Sequence, residues 1–474
     1  MRKSMIGWIP LLLLACNTND TVQSTTPPAP CTSTGTFSLL CAIQVPGNPL
    51  VSVAKVWTDS SNARVYLADQ SNSAVDVINA TGYSYVGRVP GFVGAATGAS
   101  GGTITYGGGT PTSNGQGPNS LVPTGNGKIW VSDGNTMVRV VNVATLSIDT
   151  SISLADTSCD GGTATTHFCG RNNEMTYDPN DSIVMVETPN PLSRAYCVAN
   201  AASCVSAAAI SYPTNPPQTA ASYASFIKNK APYPILGRIA FTDVKGTPEA
   251  PVWEPGVGGT GRFLVPVATC SGAAGATACP AAGATQYIAV IDPKNLATYG
   301  ATAGVMGTYS SATAGTYLVP SCDNLGSTGQ TGMINDMSIN LAAHTAIMPS
   351  CGHEVVVNTL TGAVLNNVAI QQVGSSDETA FNSGDGNYYV VATVPAGQPL
   401  AGYTAVGQVS GTTGLWIQNI TNTGGRTPSA YQPTSRIFTV SGVSTGQVAN
   451  TATDTTSCVA FGYKGTGCVT VFGK

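Results

Sequence analysis

Short runs of alternating apolar and polar residues recur along the chain from about residue 37 onward, each bounded by Gly, Asn, Asp or Pro. Arg64-Val65-Tyr66-Leu67-Ala68 is followed by Ala74-Val75-Asp76-Val77-Ile78. Tyr83-Ser84-Tyr85-Val86-Gly87 then leads into Arg88-Val89-Pro90. The order returns at 128–132 with 138–142 and 147–150, at 182–186, at 262–265 with 287–292, at 345–348 with 354–357, at 388–391 with 416–419, and at 436–440 with 467–471. Alternation in short, turn-bounded runs predicts antiparallel strands. No segment beyond the N-terminus sustains a 3.6-residue period of helical length.

These runs make seven units at a spacing of roughly 40–75 residues, and internal repetition on that scale points to a repeat architecture. Four strands per unit suit an all-β, seven-bladed β-propeller of four-stranded antiparallel blades, because radial closure hides sheet edges that a linear array would expose. The chain ends are consistent with closure. The last unit supplies 468–472 as its third strand, and 37–46 reads as a stray fourth strand. The expectation is an N-terminal strand that completes the last blade and latches the ring.

Composition narrows the classes. The 474 residues include 19 Lys and Arg and 23 Asp and Glu, so 9 % are charged, against roughly 25 % in an ordinary soluble domain. With 42 % apolar residues a packed core forms readily, and a net charge of −4 excludes disorder driven by self-repulsion. So few cations make a phosphate-neutralising surface implausible, and nucleic acid is not an expected partner.

The N-terminus reads as an address. Arg2 and Lys3 precede the apolar run 5–14 and then Ala15-Cys16. That is the form of an export signal, and the run is too short for a bilayer-spanning helix, which needs about 20 residues. Leu13-Leu14-Ala15-Cys16 resembles the bacterial lipobox, which implies lipidation of Cys16 after removal of 1–15. By the same resemblance, Asn17 favours the outer membrane. Residues 16–30, rich in Thr, Ser, Asn and Pro, read as a flexible tether. Residues 31–474 then form a single propeller domain, exported and held at the outer membrane or cell surface.

Twelve further cysteines remain: Cys31, Cys41, Cys159, Cys169, Cys197, Cys204, Cys270, Cys279, Cys322, Cys351, Cys458 and Cys468. An even number in an exported chain points to disulfides. Local clustering favours pairing in sequence order, with other connectivities still compatible with the spacing. A metal site would need Cys-x-x-Cys or closely interleaved His, and neither occurs.

The segments VYLADQSNSAVDVINATGYSYVGRVPG and GKIWVSDGNTMVRVVNVATLSIDTSI resemble the YVTN/YncE-like seven-bladed propeller repeats. NNEMTYDPNDSIVMV, APVWEPGVGGTGRFLVPV, QYIAVIDPKNLATYG and SSDETAFNSGDGNYYVV are similar to later blades of that family. The resemblance covers about residues 35–474 and implies a fold more than an activity, since propellers carry many chemistries. Long insertions at 91–116, 193–245, 268–285, 301–330, 394–415 and 441–466 depart from the plain repeat, and they are expected to form an ordered crown over one face.

Candidate chemistry lies at the starts of the innermost strands. Aligning these strands on Tyr177, Trp253, Ile339, Phe381 and Tyr431 puts Glu174, Ala250, Asp336, Glu378 and Pro428 at one position facing the central channel. Asp377 and Glu249 fall one residue earlier, and Arg171 and Arg426 two or three earlier, where they could balance the charge. Converging carboxylates could bind Ca²⁺ through oxygen or, with Glu174, Asp336 and Glu378 as acid and base, catalyse hydrolysis. They could equally cap backbone N–H groups at the channel mouth. No other cofactor is implied. With only His167, His344 and His353, a multi-histidine centre is excluded. His344, Met348, Cys351 and His353 cluster around a turn, but a disulfide hairpin through Cys351 is preferred to a copper site. Residues 98–117 lack the Gly-Lys-Ser/Thr ending of a phosphate loop. Two functions remain: a surface-anchored binding or scaffold module for an envelope protein or extracellular polymer, and a lactonase-like or other propeller hydrolase.

Overall fold

The computed structural model describes residues 31–94, 117–134, 137–154, 168–169, 172–189, 192–193, 222–243, 247–256, 261–268, 286–319, 334, 336–350, 353–368, 372, 376–393 and 404–474. Seven antiparallel sheets form the blades of a propeller ring. Their innermost strands are, from blade 1 to blade 7, Val53–Asp59, Leu121–Gly125, Met175–Asp178, Val252–Glu254, Ser338–Asn340, Ser376–Asn382 and Gly425–Tyr431.

Local sequence sets the hairpins. In all seven blades the residue just before the second strand is left-handed: Ala63, Gly127, Ser182, Gly261, His344, Gly386 and Ser435, with φ from 50° to 75°. Positive φ at this point gives the turn the twist of the strands it joins. Between the third and fourth strands of blades 1, 2 and 5, Asn79, Asn142 and Asn358 accept from backbone N–H groups two and three residues on. Asn is suited to such turns because its side chain mimics the backbone acceptor.

Seven of the eight apolar clusters among the described residues fill the gaps between neighbouring blades, one in each, and the eighth, small, surrounds Cys458 and Cys468. Val65 and Leu67 face blade 7, whereas Tyr66 and Ala68 of the same strand face blade 2. The middle strands are therefore buried on both faces. This explains runs such as Val65-Tyr66-Leu67-Ala68 that are apolar throughout.

The expected latch is present. Ser38–Ile43 lies outermost in blade 7, antiparallel to Cys468–Gly473, which follows Arg436–Ser441 and Gly425–Tyr431 in the sheet. Two of the expected disulfides flank it, Cys31–Cys41 and Cys458–Cys468, with Cα separations of 5.0 and 5.7 Å. The other expected pairs, through Cys159, Cys169, Cys197, Cys204, Cys270, Cys279, Cys322 and Cys351, involve side chains outside the described residues, as do Cys16 and the leader. Among the described residues no helix is long and apolar enough to cross a membrane.

Parts of the expected insertions are instead regular blade strands: Tyr223–Lys228 and Ile235–Phe241 in 193–245 complete blade 3, Tyr317–Leu318 in 301–330 edges blade 4, and Thr404–Ser410 in 394–415 is the third strand of blade 6. Two insertions also contain structure that the repeat does not predict. Met306–Tyr309, from the 301–330 insertion, adds a fifth strand to blade 3, parallel to Ile235–Phe241. Tyr309 reaches the core between blades 3 and 4. Within 441–466 a short helix, Thr445–Ala449, starts at a capping box made by Ser444 and Gln447.

Candidate functional site

The innermost strands enclose a cavity of about 380 Å³ on the axis. Lys55, Glu174 and Asp336 line it at the strand starts, and Pro179, Leu341 and Gln432 line it at the far turns. Between these ends the wall is mainly apolar, with Trp57, Tyr177, Trp253 and Phe381 from four blades.

Strand register explains which side chains meet at the charged end. Asp59, Asp178, Asn340 and Asn382 each close the turn that follows their strand by accepting backbone N–H groups. Four residues before them stand Lys55, Glu174, Asp336 and Glu378. In blades 1, 6 and 7 a bulge interrupts the pairing at this level, between Val53 and Val56, Ser376 and Thr379, and Arg426 and Pro428. Bulges re-aim side chains, and here Lys55, Glu378 and Thr427 lie within them.

Lys55 is the hub. Its Nζ lies 3.5 Å from Glu174 Oε2, 3.3 Å from Asp336 Oδ1 and 3.2 Å from Glu378 Oε2. Asp336 is further held by the Thr379 N–H, which donates to Oδ2 at 2.7 Å, and by the Thr379 hydroxyl at 3.3 Å. Thr427 Oγ1 accepts from the Val56 N–H at 2.9 Å. The network thus joins blades 1, 3, 5, 6 and 7 across the axis.

Burial and mutual charge set the protonation of these groups. Burial opposes the charge on Lys55, but the three carboxylates outweigh it and push its pKa well up. Burial pushes the Glu378 carboxyl to about 8 against the opposing pull of Lys55, and it raises Glu174 in the same way. Next to them Glu187 is fully buried, with both carboxylate oxygens lacking a hydrogen-bond partner. Burial, reinforced by Glu249, pushes it well up. Glu354 has its carboxyl raised to about 8 by burial and accepts from the Ser376 N–H and hydroxyl.

Glu174, Asp336 and Glu378 therefore do converge from blades 3, 5 and 6, as the strand alignment predicts. Glu249 lies beside them, its Oε2 accepting from Asn173 Nδ2 at 3.5 Å. Two expectations change. Pro428 is not the blade 7 equivalent: Pro428 pairs with Thr439 just as Thr379 pairs with Val390, so Thr427 matches Glu378. Arg426 is exposed and makes no ion pair among the described residues, so it does not balance the carboxylates. Arg171 and the side chain of Asp377 lie outside the described residues.

Sequence reasoning missed Lys55 because the bulky anchor shifts along its strand. Phe381 pairs one residue into the second strand, Trp57 two, and Tyr431 none. Counting back from the turn-closing Asp or Asn would have found it. Glu187 carried its own signal, an acid ending the apolar run Ile183-Val184-Met185-Val186.

A Ca²⁺ ion at this site would have to displace the Lys55 ammonium from the oxygens it would use. Among the described residues no group of three or more His, Cys, Asp or Glu is placed to hold a metal. Of the four residues weighed for copper, His344 lies 3.3 Å from Glu254 and Met348 is fully buried, while the Cys351 and His353 side chains lie outside the described residues.

Chains of solved structures match this chain in large number, 1418 in all. One, in a structure described as "Crystal Structure of Mitotic Checkpoint Complex", is similar with a TM-score of 0.47 and 10 % sequence identity, over 90 % of this chain and 96 % of that one. No protein-family model matches the chain, and no curated protein does.

Proposed function

We propose that this chain is an envelope-anchored propeller of the YVTN/YncE-like kind that acts as a binding or scaffold module. On this reading it is tethered through Cys16 at the outer membrane or cell surface and takes an envelope protein or an extracellular polymer as partner. The observation that carries the reading is the engagement of all three channel carboxylates by Lys55. A general acid or base must be free to exchange its proton with a substrate, and groups locked around one ammonium serve better as a rigid floor. The apolar, aromatic wall beyond that floor suits a bound side chain or small ligand. The two described disulfides are compatible with an oxidising compartment.

A second reading, a propeller hydrolase, draws on Glu378, whose carboxyl near 8 suits proton donation at neutral pH. One pair of measurements separates the two. Saturable binding to isolated envelope fractions, with no turnover across lactones, esters and sulfur oxyanions, is expected. Turnover that disappears in Asp336→Asn would replace the binding reading with the hydrolytic one.

A further inference from the structure

We propose that Lys55 and Asp336 become joined by an intramolecular amide bond, from Lys55 Nζ to the side-chain carbonyl carbon of Asp336, formed by the protein on itself. The two residues are 281 positions apart, yet Nζ donates to Oδ1 at 3.3 Å in a buried site, with side-chain exposures of 8 % and 4 %.

Condensation needs a polarised carboxyl, a nearby amine and a group to move protons, and each is present. The Thr379 N–H and hydroxyl both donate to Asp336 Oδ2, so charge developing on that oxygen during attack meets donors already in place. Glu378 and Glu174 flank the ammonium at 3.2 and 3.5 Å. One of them takes a proton from Nζ, and the neutral amine adds to the Asp336 carbon. Oδ1 then leaves as water with two of the three ammonium protons, while the third stays on the amide nitrogen. The positive and negative charges cancel, nothing is oxidised or reduced, and no co-reactant is consumed.

Two physical effects favour the product. Groups held in fixed contact react with effective molarities of about 10⁵–10⁸ M in well-oriented cases, and a buried ion pair that becomes a neutral amide no longer bears the cost of desolvating two charges. Glu174 and Glu378, whose carboxyls burial raises, can then stay protonated and leave the floor uncharged. Asp336 is the acyl donor rather than either Glu because it is the most buried of the three and alone has an oxygen held by two Thr379 donors.

The test is mass spectrometry of the purified full chain after reduction and denaturation. The expected mass is about 18 Da, one water, below that of its residues, and digestion should release a joined peptide containing both Lys55 and Asp336. An unchanged mass overturns the proposal. So does a loss confined to one peptide, which marks a cyclised Asp, or a bond from Lys55 to Glu174 or Glu378. Lys55→Arg keeps the cation but cannot form this bond, so its mass should be complete. The wild-type measurement decides the matter even if that variant fails to fold.

Discussion

Lys55 Nζ meets Asp336 Oδ1 at 3.3 Å across the axis of the ring, linking blade 1 to blade 5 through the most buried of its three carboxylate partners. Removing one partner of a buried charge network is costly because it leaves the others uncompensated, typically by about 3–5 kcal/mol. Lys55→Met should therefore lower stability by an amount of that order, seen as a fall in the urea midpoint. Adding Glu174→Gln, Asp336→Asn and Glu378→Gln to Lys55→Met should recover much of the loss. If Lys55→Met alone is as stable as wild type, the axial network is not holding the blades together.

The buried acids set the response to pH. Asp69, Asp133, Asp178, Glu174, Glu187, Glu354, Glu378 and Asp385 all have carboxyls pushed up, chiefly by burial. Glu354 is the simplest, raised from 4.5 to about 8. Between those values the folded state holds a proton that the unfolded state has lost, so its contribution to stability falls as pH rises through the window. At about 1.4 kcal/mol per unit the change is on the order of 4–5 kcal/mol. Glu354→Gln should flatten this part of the stability curve and be more stable than wild type near pH 9, by urea titration at several pH values. An unchanged pH slope would show that Glu354 ionises normally.

The same direction of shift predicts tolerance of acid. Carboxyls whose pKa the fold raises bind protons more readily in the native state than in the unfolded one, so acid does not unfold the chain through them, and with 9 % charged residues few other acids are left to lose partners. Circular dichroism from pH 7 to about 2.5 should show the β signal retained. Cooperative loss above about pH 4 would contradict it.

The latch predicts a large effect from a small deletion. Removing residues 31–46 deletes the outer strand of blade 7 and with it Phe37, which packs on Tyr389 and Phe472 with ring centroids 5.1 and 6.2 Å away. It also uncovers the edge of Cys468–Gly473. The thermal midpoint should drop sharply and aggregation should rise, as an exposed edge strand invites pairing. Cys458→Ser with Cys468→Ser should cost less, about 2–5 kcal/mol. An unchanged midpoint after the deletion would mean that the ring closes without this strand.

Gly261 tests the turn that shapes the cavity wall. It sits at φ +75°, and a Cβ there would lie 2.2 Å from Trp253 Cζ2. Gly261→Ala should destabilise by about 1–3 kcal/mol through backbone strain and displacement of the indole, with a change in Trp fluorescence reporting the displacement. At Gly125, φ +79° with open space around the Cβ position, Ala should meet the backbone strain alone and cost less.

What depends on local chemistry can be read along the chain. Turn residues and short apolar runs specify the hairpins, seven such units specify a ring, and an unpaired run at each end specifies the strand that closes it, because each signal is carried by neighbours in the chain. Glu174, Asp336 and Glu378 were legible for the same reason, as repeats of one position. Tertiary structure decided what depends on register across blades. A bulge of one residue in blade 1 turns Lys55 toward the axis, and another in blade 7 exchanges Pro428 for Thr427. Whether three carboxylates form an open acidic funnel or a closed charge network depends on where one ammonium lies, and that is fixed by contacts between residues hundreds of positions apart.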